Sequence, residues 1–162
     1  MKTSLQLRMQ HQPDSLTLLL HGLTEEQIRS RPIPDKWSIY ENIVHLARYH
    51  EVFKGRMLQI VQSSNTPMFQ RYKAEDDKGF YDWQQKYFIE LMNDFREGRN
   101  NLNNYLASLS KDDLQKTGSH PVYGLINVEG WIELFLLHEA HHFFTIVKLA
   151  PQVNSARVLG LY

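Results

Sequence analysis

The chain of 162 residues carries 18 basic and 18 acidic side chains and no cysteine. Balanced charge argues against a nucleic-acid partner or a membrane surface held by charge, and the missing thiols exclude disulfides and a thiolate nucleophile of the protein's own. The length suits one domain spanning 1–162 with a substantial core. The N-terminal stretch MKTSLQLRMQHQPDS lacks the apolar run of a signal peptide, and no segment approaches the ~20 apolar residues of a membrane span. The expectation is a cytoplasmic protein.

In chain order, the first helix is expected from about Ser4 to Leu20, with Pro13 kinking or breaking it and His21-Gly22 ending it. LTEEQIRSRPIPDK then gives a short helical turn with Thr24 and Gln27 at capping-box spacing, followed by an extended connection forced by two prolines. Ser38, also at capping-box distance from Glu41, opens a long helix running to about Gln62. SSNTPMFQRYKAEDDKG follows as a polar loop. A third long helix is expected from about Tyr81 to Leu109, because apolar spacing persists through the asparagine-rich NNLNNYL. SKDDLQKTGSHPVYGLI reads as a second loop, and a fourth helix spans about Asn127 to Ala150, stopped by Pro151. Four amphipathic helices with almost no strand predict an all-α, four-helix bundle.

Chemistry concentrates in FLLHEAHHFF, where three histidines fall within five positions of an apolar segment. At roughly 100° per residue, His138 and His142 share a face with Trp131, Leu134, Phe135, Thr145 and Leu149, while His141 sits toward its edge. Two imidazoles four apart on one face lie about 6 Å apart along the axis, close enough to grip one ion. A lone inward histidine reads more simply as a hydrogen-bonded core residue, whereas an i, i+4 pair on an apolar face fits a metal as well as it fits a core, and a metal needs a third ligand from elsewhere. The helix after Ser38 offers one. Its buried face carries Ile39, Ile43, Leu46, Phe53, Met57 and Ile60. His45 lies just beyond that face in a stripe with Glu41, Tyr49, Val52 and Arg56. His50 falls within the apolar arc and reads as a buried, hydrogen-bonded histidine. Glu41 reads as the capping carboxylate. Arg56 is either a solvated side chain or an anion-holding group at the mouth of a site. Trp37 and Trp131 read as core anchors near helix starts, Trp83 and Tyr87 as packing, and His120 as part of a turn with Pro121 and Gly124.

DKWSIYENIVHLARYH, followed far downstream by SHPVYGLINVEGWIELFLLHEAHH, resembles the DinB-like superfamily, particularly its YfiT-like, bacillithiol-transferase-type branch. The likeness runs from about Leu23 to Ala150. It rests on Trp-Ser opening the second long helix, a histidine seven residues after that serine, and H-x-x-x-H in the last helix. The TPMFQRY loop and the two histidines five apart in HLARYH are similar too. The N-terminal helix and the tail QVNSARVLGLY carry none of it. The resemblance implies a four-helix bundle holding a divalent metal, commonly zinc or nickel, on His45, His138 and His142. His141 and His50 become neighbours, Arg56 matches an arginine of that branch, and a homodimer is implied.

Three neutral imidazoles leave an ion its full charge and an open position, the pattern of catalytic zinc. Such an ion can generate hydroxide from water or hold a thiol as thiolate. A chain without cysteine needs a cosubstrate to bring any sulfur. The first expectation, which the resemblance implies, is transfer of a low-molecular-weight thiol to an electrophile, with Arg56 clamping a carboxylate on the thiol. Hydrolysis by metal-bound water is the second, with no obvious carboxylate base beyond the capping Glu41. A non-catalytic, stress-related bundle with a closed or absent metal site is the third.

Overall fold

The computed structural model describes residues 1–154, so the sequence from Ser155 onward, most of the tail QVNSARVLGLY, lies outside the described residues. Pro13 breaks the first helical segment into α1 (Thr3–His11) and α2 (Asp14–Leu20). Thr24 opens α3 (Glu25–Arg29) through the anticipated box, its Oγ1 accepting the Gln27 N–H at 3.2 Å. Ser38 opens α4 (Ile39–Gln62) in the same way: its hydroxyl accepts the Glu41 N–H, and Glu41 accepts the Ser38 N–H at 2.8 Å. Glu41 also pairs with Arg31, so this carboxylate is fully engaged in starting the helix.

Three boundaries differ from the sequence reading. The helix expected from Tyr81 to Leu109 is two, α5 (Lys78–Trp83) and α6 (Phe88–Ala107). At the break, the Lys86 carbonyl accepts from the Tyr40 hydroxyl at 2.5 Å and the Arg29 guanidinium at 2.7 Å. Both donors are distant in sequence, and the one local mark of the new start is Glu90, which accepts the Tyr87 N–H at 3.2 Å. The loop after Leu109 contains α7 (Lys111–Gln115), opened by a Ser110–Asp113 box, and a hairpin of β1 (Thr117–His120) and β2 (Gly124–Asn127). Gly124, paired with His120, closes the hairpin at φ +72°, a left-handed conformation that suits glycine. Finally, α8 (Val128–Val153) runs through Pro151. A proline this close to the end of a helix removes one hydrogen bond, and the Asn154 N–H still closes on the Ala150 carbonyl at 3.1 Å.

The architecture is a four-helix bundle, with α1 and α2 together supplying one helix and α4, α6 and α8 the others. α4 packs against both α6 and α8, and α1 and α2 lie on α8. Asn103 on α6 donates to the Met9 carbonyl at 3.1 Å, tying α1 to α6. No helix among the described residues is long and apolar enough to cross a membrane.

The core has two apolar clusters. One gathers Leu16, Ile43, Leu91, Phe95 and Ile146; the other gathers Met9, Phe53, Leu102, Trp131 and Phe135. Between them sits a buried polar layer. Arg99 (2% exposed) pairs with Glu139 (1%), whose other oxygen accepts from Gln12 at 2.8 Å. The His50 ring lies 4.9 Å from Phe95 in one cluster and 5.8 Å from Phe135 in the other. Its Nε2 is 3.8 Å from Glu139, so His50 is buried as expected but forms no hydrogen bond of normal length there. Burial works to raise the Glu139 pKa, but His50 and Arg99 outweigh it and hold the carboxyl below its ordinary value.

Breaking a buried ion pair from one side strands a charge, at a cost of about 3–5 kcal/mol, whereas replacing both partners with apolar groups of similar volume is close to neutral. Arg99→Met is therefore expected to lower unfolding free energy by about that amount. Arg99→Met combined with Glu139→Leu should recover most of it, as measured by urea denaturation of metal-free protein.

Candidate metal centre

Helices α4 and α8 face each other across the three histidines. Their packing is set by alternating apolar stripes, which bury Ile43, Leu46, Ile132, Phe135 and Leu136 and carry His45, His138 and His142 inward with them. One ring nitrogen from each of the three histidines lies within 4.8 Å of the others. Ring centroids are 4.5 Å apart for His45 and His142, 4.7 Å for His138 and His142, and 5.0 Å for His45 and His138. The Nε2 atoms of His45 and His138 approach to 3.0 Å.

Asn42, one turn before His45, decides which nitrogen of His142 is available. Its side-chain nitrogen donates to the Ser38 carbonyl at 2.8 Å, which turns its oxygen toward His142 Nδ1, also at 2.8 Å. An amide oxygen only accepts, so His142 carries its proton on Nδ1 and leaves the Nε2 lone pair free. This is the support that metal-binding histidines usually receive from a neighbouring acceptor. Sequence reasoning missed Asn42. The available signal was a polar residue one turn from His45 within an otherwise apolar stretch.

Burial then removes the charge from all three rings. Desolvation, with His142 nearby, lowers the His45 pKa to about 3. Desolvation with the His45 and His141 charges lowers His138 to about 3, and desolvation with His138 and His141 does the same for His142. Near neutral pH the cluster is a set of neutral lone-pair donors. The spacing of the nitrogens fits a divalent cation. A tetrahedral zinc–imidazole site, with bonds of about 2.0–2.1 Å, separates its nitrogens by roughly 3.3 Å, close to the His45–His138 spacing. Among the described residues the Nδ1 atoms of both rings are buried without a hydrogen-bond partner, so no protein acceptor fixes these two rings as Asn42 fixes His142.

The histidines open onto a cavity of about 900 Å³. Trp37, expected as a core anchor, is half-buried and instead forms part of its wall, 5.1 Å from the His45 ring and stacked 6.1 Å from His142. Tyr49 packs 4.4 Å from His138, and Tyr72 stacks 5.7 Å from His45 while donating its hydroxyl to Asp77 at 2.8 Å. The TPMFQRY loop thereby reaches the site through its tyrosine. Trp131 is the buried anchor expected. Arg56 lines the same cavity, its Nη2 donating to the Gln70 carbonyl at 2.7 Å. His141 is exposed at the rim. His50 lies outside the cavity in the polar layer, beside Glu139 and Arg99, which the sequence reading did not single out. Trp83 and Tyr87 do not line the cavity, and Tyr87 is largely exposed. Glu75 is the one carboxylate on the cavity wall among the described residues.

A profile of the DinB superfamily matches residues 8–146. The chain belongs to the DinB superfamily. Among its relatives is the uncharacterised protein YuaE of Bacillus subtilis (strain 168), 23% identical, with the match covering 85% of this chain and 91% of that one. Among solved structures it is similar to YfiT from Bacillus subtilis, described as a probable metal-dependent hydrolase with an unusual four-helix bundle topology. The TM-score is 0.76 at 18% identity, covering 92% of this chain and 85% of YfiT. TT2238, a four-helix bundle protein, aligns with a TM-score of 0.64 at 16% identity, covering 88% of this chain and 95% of that one.

Two outcomes follow for the superfamily member described here. Asn42→Ala frees the His142 ring, and calorimetric titration with zinc should show affinity reduced about 10–100-fold. The second concerns acid. The three histidines take up protons on unfolding between their folded values near 3 and an ordinary 6.5, so their contribution is complete above about pH 6.5. Metal-free protein should lose stability steadily as pH falls from there toward 3, with a shallower slope in a His45→Phe/His142→Phe variant.

Proposed function

We propose that the chain is a divalent-metal-dependent enzyme that joins a low-molecular-weight thiol to an electrophilic small molecule. The observation that carries the reading is the convergence of three neutral imidazoles on a cavity whose wall also holds an arginine. His45, His138 and His142 would hold the ion through their ring nitrogens, and zinc or nickel both suit an all-imidazole set. When bound, such an ion supplies Lewis acidity sufficient to keep a coordinated thiol deprotonated near neutral pH. The chain has no cysteine, so the sulfur arrives on a cosubstrate.

The remaining work falls to the protein's own side chains. Arg56 is steadied by the Gln70 carbonyl and by a long contact of 3.4 Å with the Tyr49 hydroxyl, and it has further N–H groups to offer a carboxylate on the thiol. Trp37, Tyr49, Tyr72 and Phe135 surround the imidazoles with aromatic surface that excludes water and packs against the electrophile. Asn42 fixes the His142 tautomer.

Hydrolysis with water as nucleophile is the second reading. The fold similarity to YfiT, itself described as a probable hydrolase, favours it, and Glu75 is a carboxylate in place to act as base. Against it, Glu75 is exposed, Glu41 is committed to Ser38 and Arg31, and Glu139 to Arg99 and Gln12. The test is product analysis of zinc- and nickel-loaded protein supplied with a panel of thiols plus a haloarene electrophile, and separately with esters and amides. Thiol transfer predicts conjugates that require the thiol and vanish in His142→Ala. Thiol-independent cleavage, diminished in Glu75→Gln, would establish the second reading. For transfer, Arg56→Ala should raise KM for carboxylate-bearing thiols about tenfold or more with a smaller change in kcat.

A further inference from the structure

His120, at the end of β1, caps the hairpin turn with one ring nitrogen and leaves the other over. Its Nδ1 accepts two backbone N–H groups, from Val122 at 3.1 Å and Tyr123 at 3.2 Å. A backbone N–H can only donate, so Nδ1 cannot carry a proton without losing both bonds. The neutral ring therefore bears its hydrogen on Nε2, and Nε2 is the nitrogen left for other partners. The ring is also held in place, stacked 4.8 Å from Tyr123 on one side and 5.2 Å from the buried Trp131 on another.

The same Trp131 lies 5.9 Å from the Arg56 guanidinium carbon, and His120, Arg56 and Trp131 all line the cavity onto which the three histidines open. Desolvation and the Arg56 charge both push the His120 pKa down, which keeps the ring neutral. Trp131 has turned its own N–H toward the Gly118 carbonyl at 3.4 Å. Arg56 and His120 thus offer a guanidinium and a neutral N–H donor beside Trp131, in a cavity that Arg71, Lys73 and Glu75 also line. The chemistry that matches is a carboxylate: the guanidinium balances its charge, and a second donor serves its other oxygen. A neutral ester, amide or alcohol leaves the Arg56 charge unmatched.

We propose that His120 is a specificity-determining residue, its Nε2–H working with Arg56 to select a carboxylate-bearing substrate over a neutral one of the same length. The identity of that substrate as a thiol rests on the reading under Proposed function; the carboxylate subsite itself does not.

The test separates the two. His120→Asn keeps an oxygen able to accept the Val122 and Tyr123 N–H groups, as asparagine does in Asx turns, and deletes the Nε2–H. His120→Gln places an amide N–H near the position of Nε2. Calorimetry on zinc-loaded protein compares 3-mercaptopropionate with neutral 3-mercaptopropanol. The expected result is about tenfold weaker binding of the carboxylate in His120→Asn, partial recovery in His120→Gln, and unchanged binding of the alcohol. In parallel, long-range nitrogen–proton NMR on metal-free protein at pH 7 should show His120 as the Nε2–H tautomer, with butyrate shifting its ring and the Arg56 Nε–H. Failure of both thiols to bind zinc-loaded protein while butyrate still shifts His120 would reject the thiol reading and uphold the subsite. An Nδ1–H tautomer, an imidazolium at pH 7, or equal weakening of the acid and alcohol probes would overturn the role of His120.

Discussion

Packing α4 against α8 sets the character of everything else in this protein. The apolar stripes of the two helices carry three imidazoles out of water, and a desolvated imidazole gives up its proton long before neutral pH. The result is three neutral rings with one nitrogen from each within 4.8 Å of the others. Asn42 completes this by fixing a tautomer with one side-chain oxygen, itself oriented by the carbonyl of the residue that caps α4. Helix capping, tautomer and candidate metal site are consecutive links of one chain. Ser38 starts the helix, its carbonyl turns Asn42, and Asn42 turns His142.

Two groups of polar side chains inside the bundle differ in how fully they are engaged. Arg99 and Glu139 neutralise each other in a closed layer between the two apolar clusters, with the neutral His50 ring beside them, and tie α1, α6 and α8 together. Arg56 and His120 instead lie along an open cavity with donors to spare. Neighbouring residues 138 and 139 of α8 illustrate the division: His138 turns toward the cavity, and Glu139 turns toward Arg99. A helix places consecutive side chains about 100° apart, so one segment can serve both the site and the core.

Much of this was legible from residue spacing. Capping boxes at Thr24 and Ser38 located two helix starts, Pro13 located a break, and the i, i+4 pair on α8 with His45 on α4 located the cluster. These signals are local, and local signals survive in sequence. The interruption before α6 is faint in the sequence, because its local mark is a single carboxylate, Glu90, reaching back to Tyr87, while the Lys86 carbonyl is drawn away by Tyr40 and Arg29 from distant elements. The hairpin was read as loop because TGSH and GLIN show little of the β-branched alternation of longer strands. Pro151 carried too much weight, since near a helix end it costs a single bond. In the site, the missed residues are those whose roles depend on partners far along the chain. Asn42 matters through residue 142, Trp37 through its stacking on two histidines, and His120 through its shared contact with Trp131.

The proposed chemistry turns on these three imidazoles holding one cation that retains a place for substrate. X-ray absorption at the zinc edge, on protein loaded with one equivalent of zinc, addresses it directly. Three nitrogen scatterers at about 2.0–2.1 Å with one further oxygen ligand are expected, and a sulfur scatterer at about 2.3 Å should appear when 3-mercaptopropionate is added. Four protein ligands with no change on adding thiol would contradict it, as would zinc bound with fewer than three imidazoles.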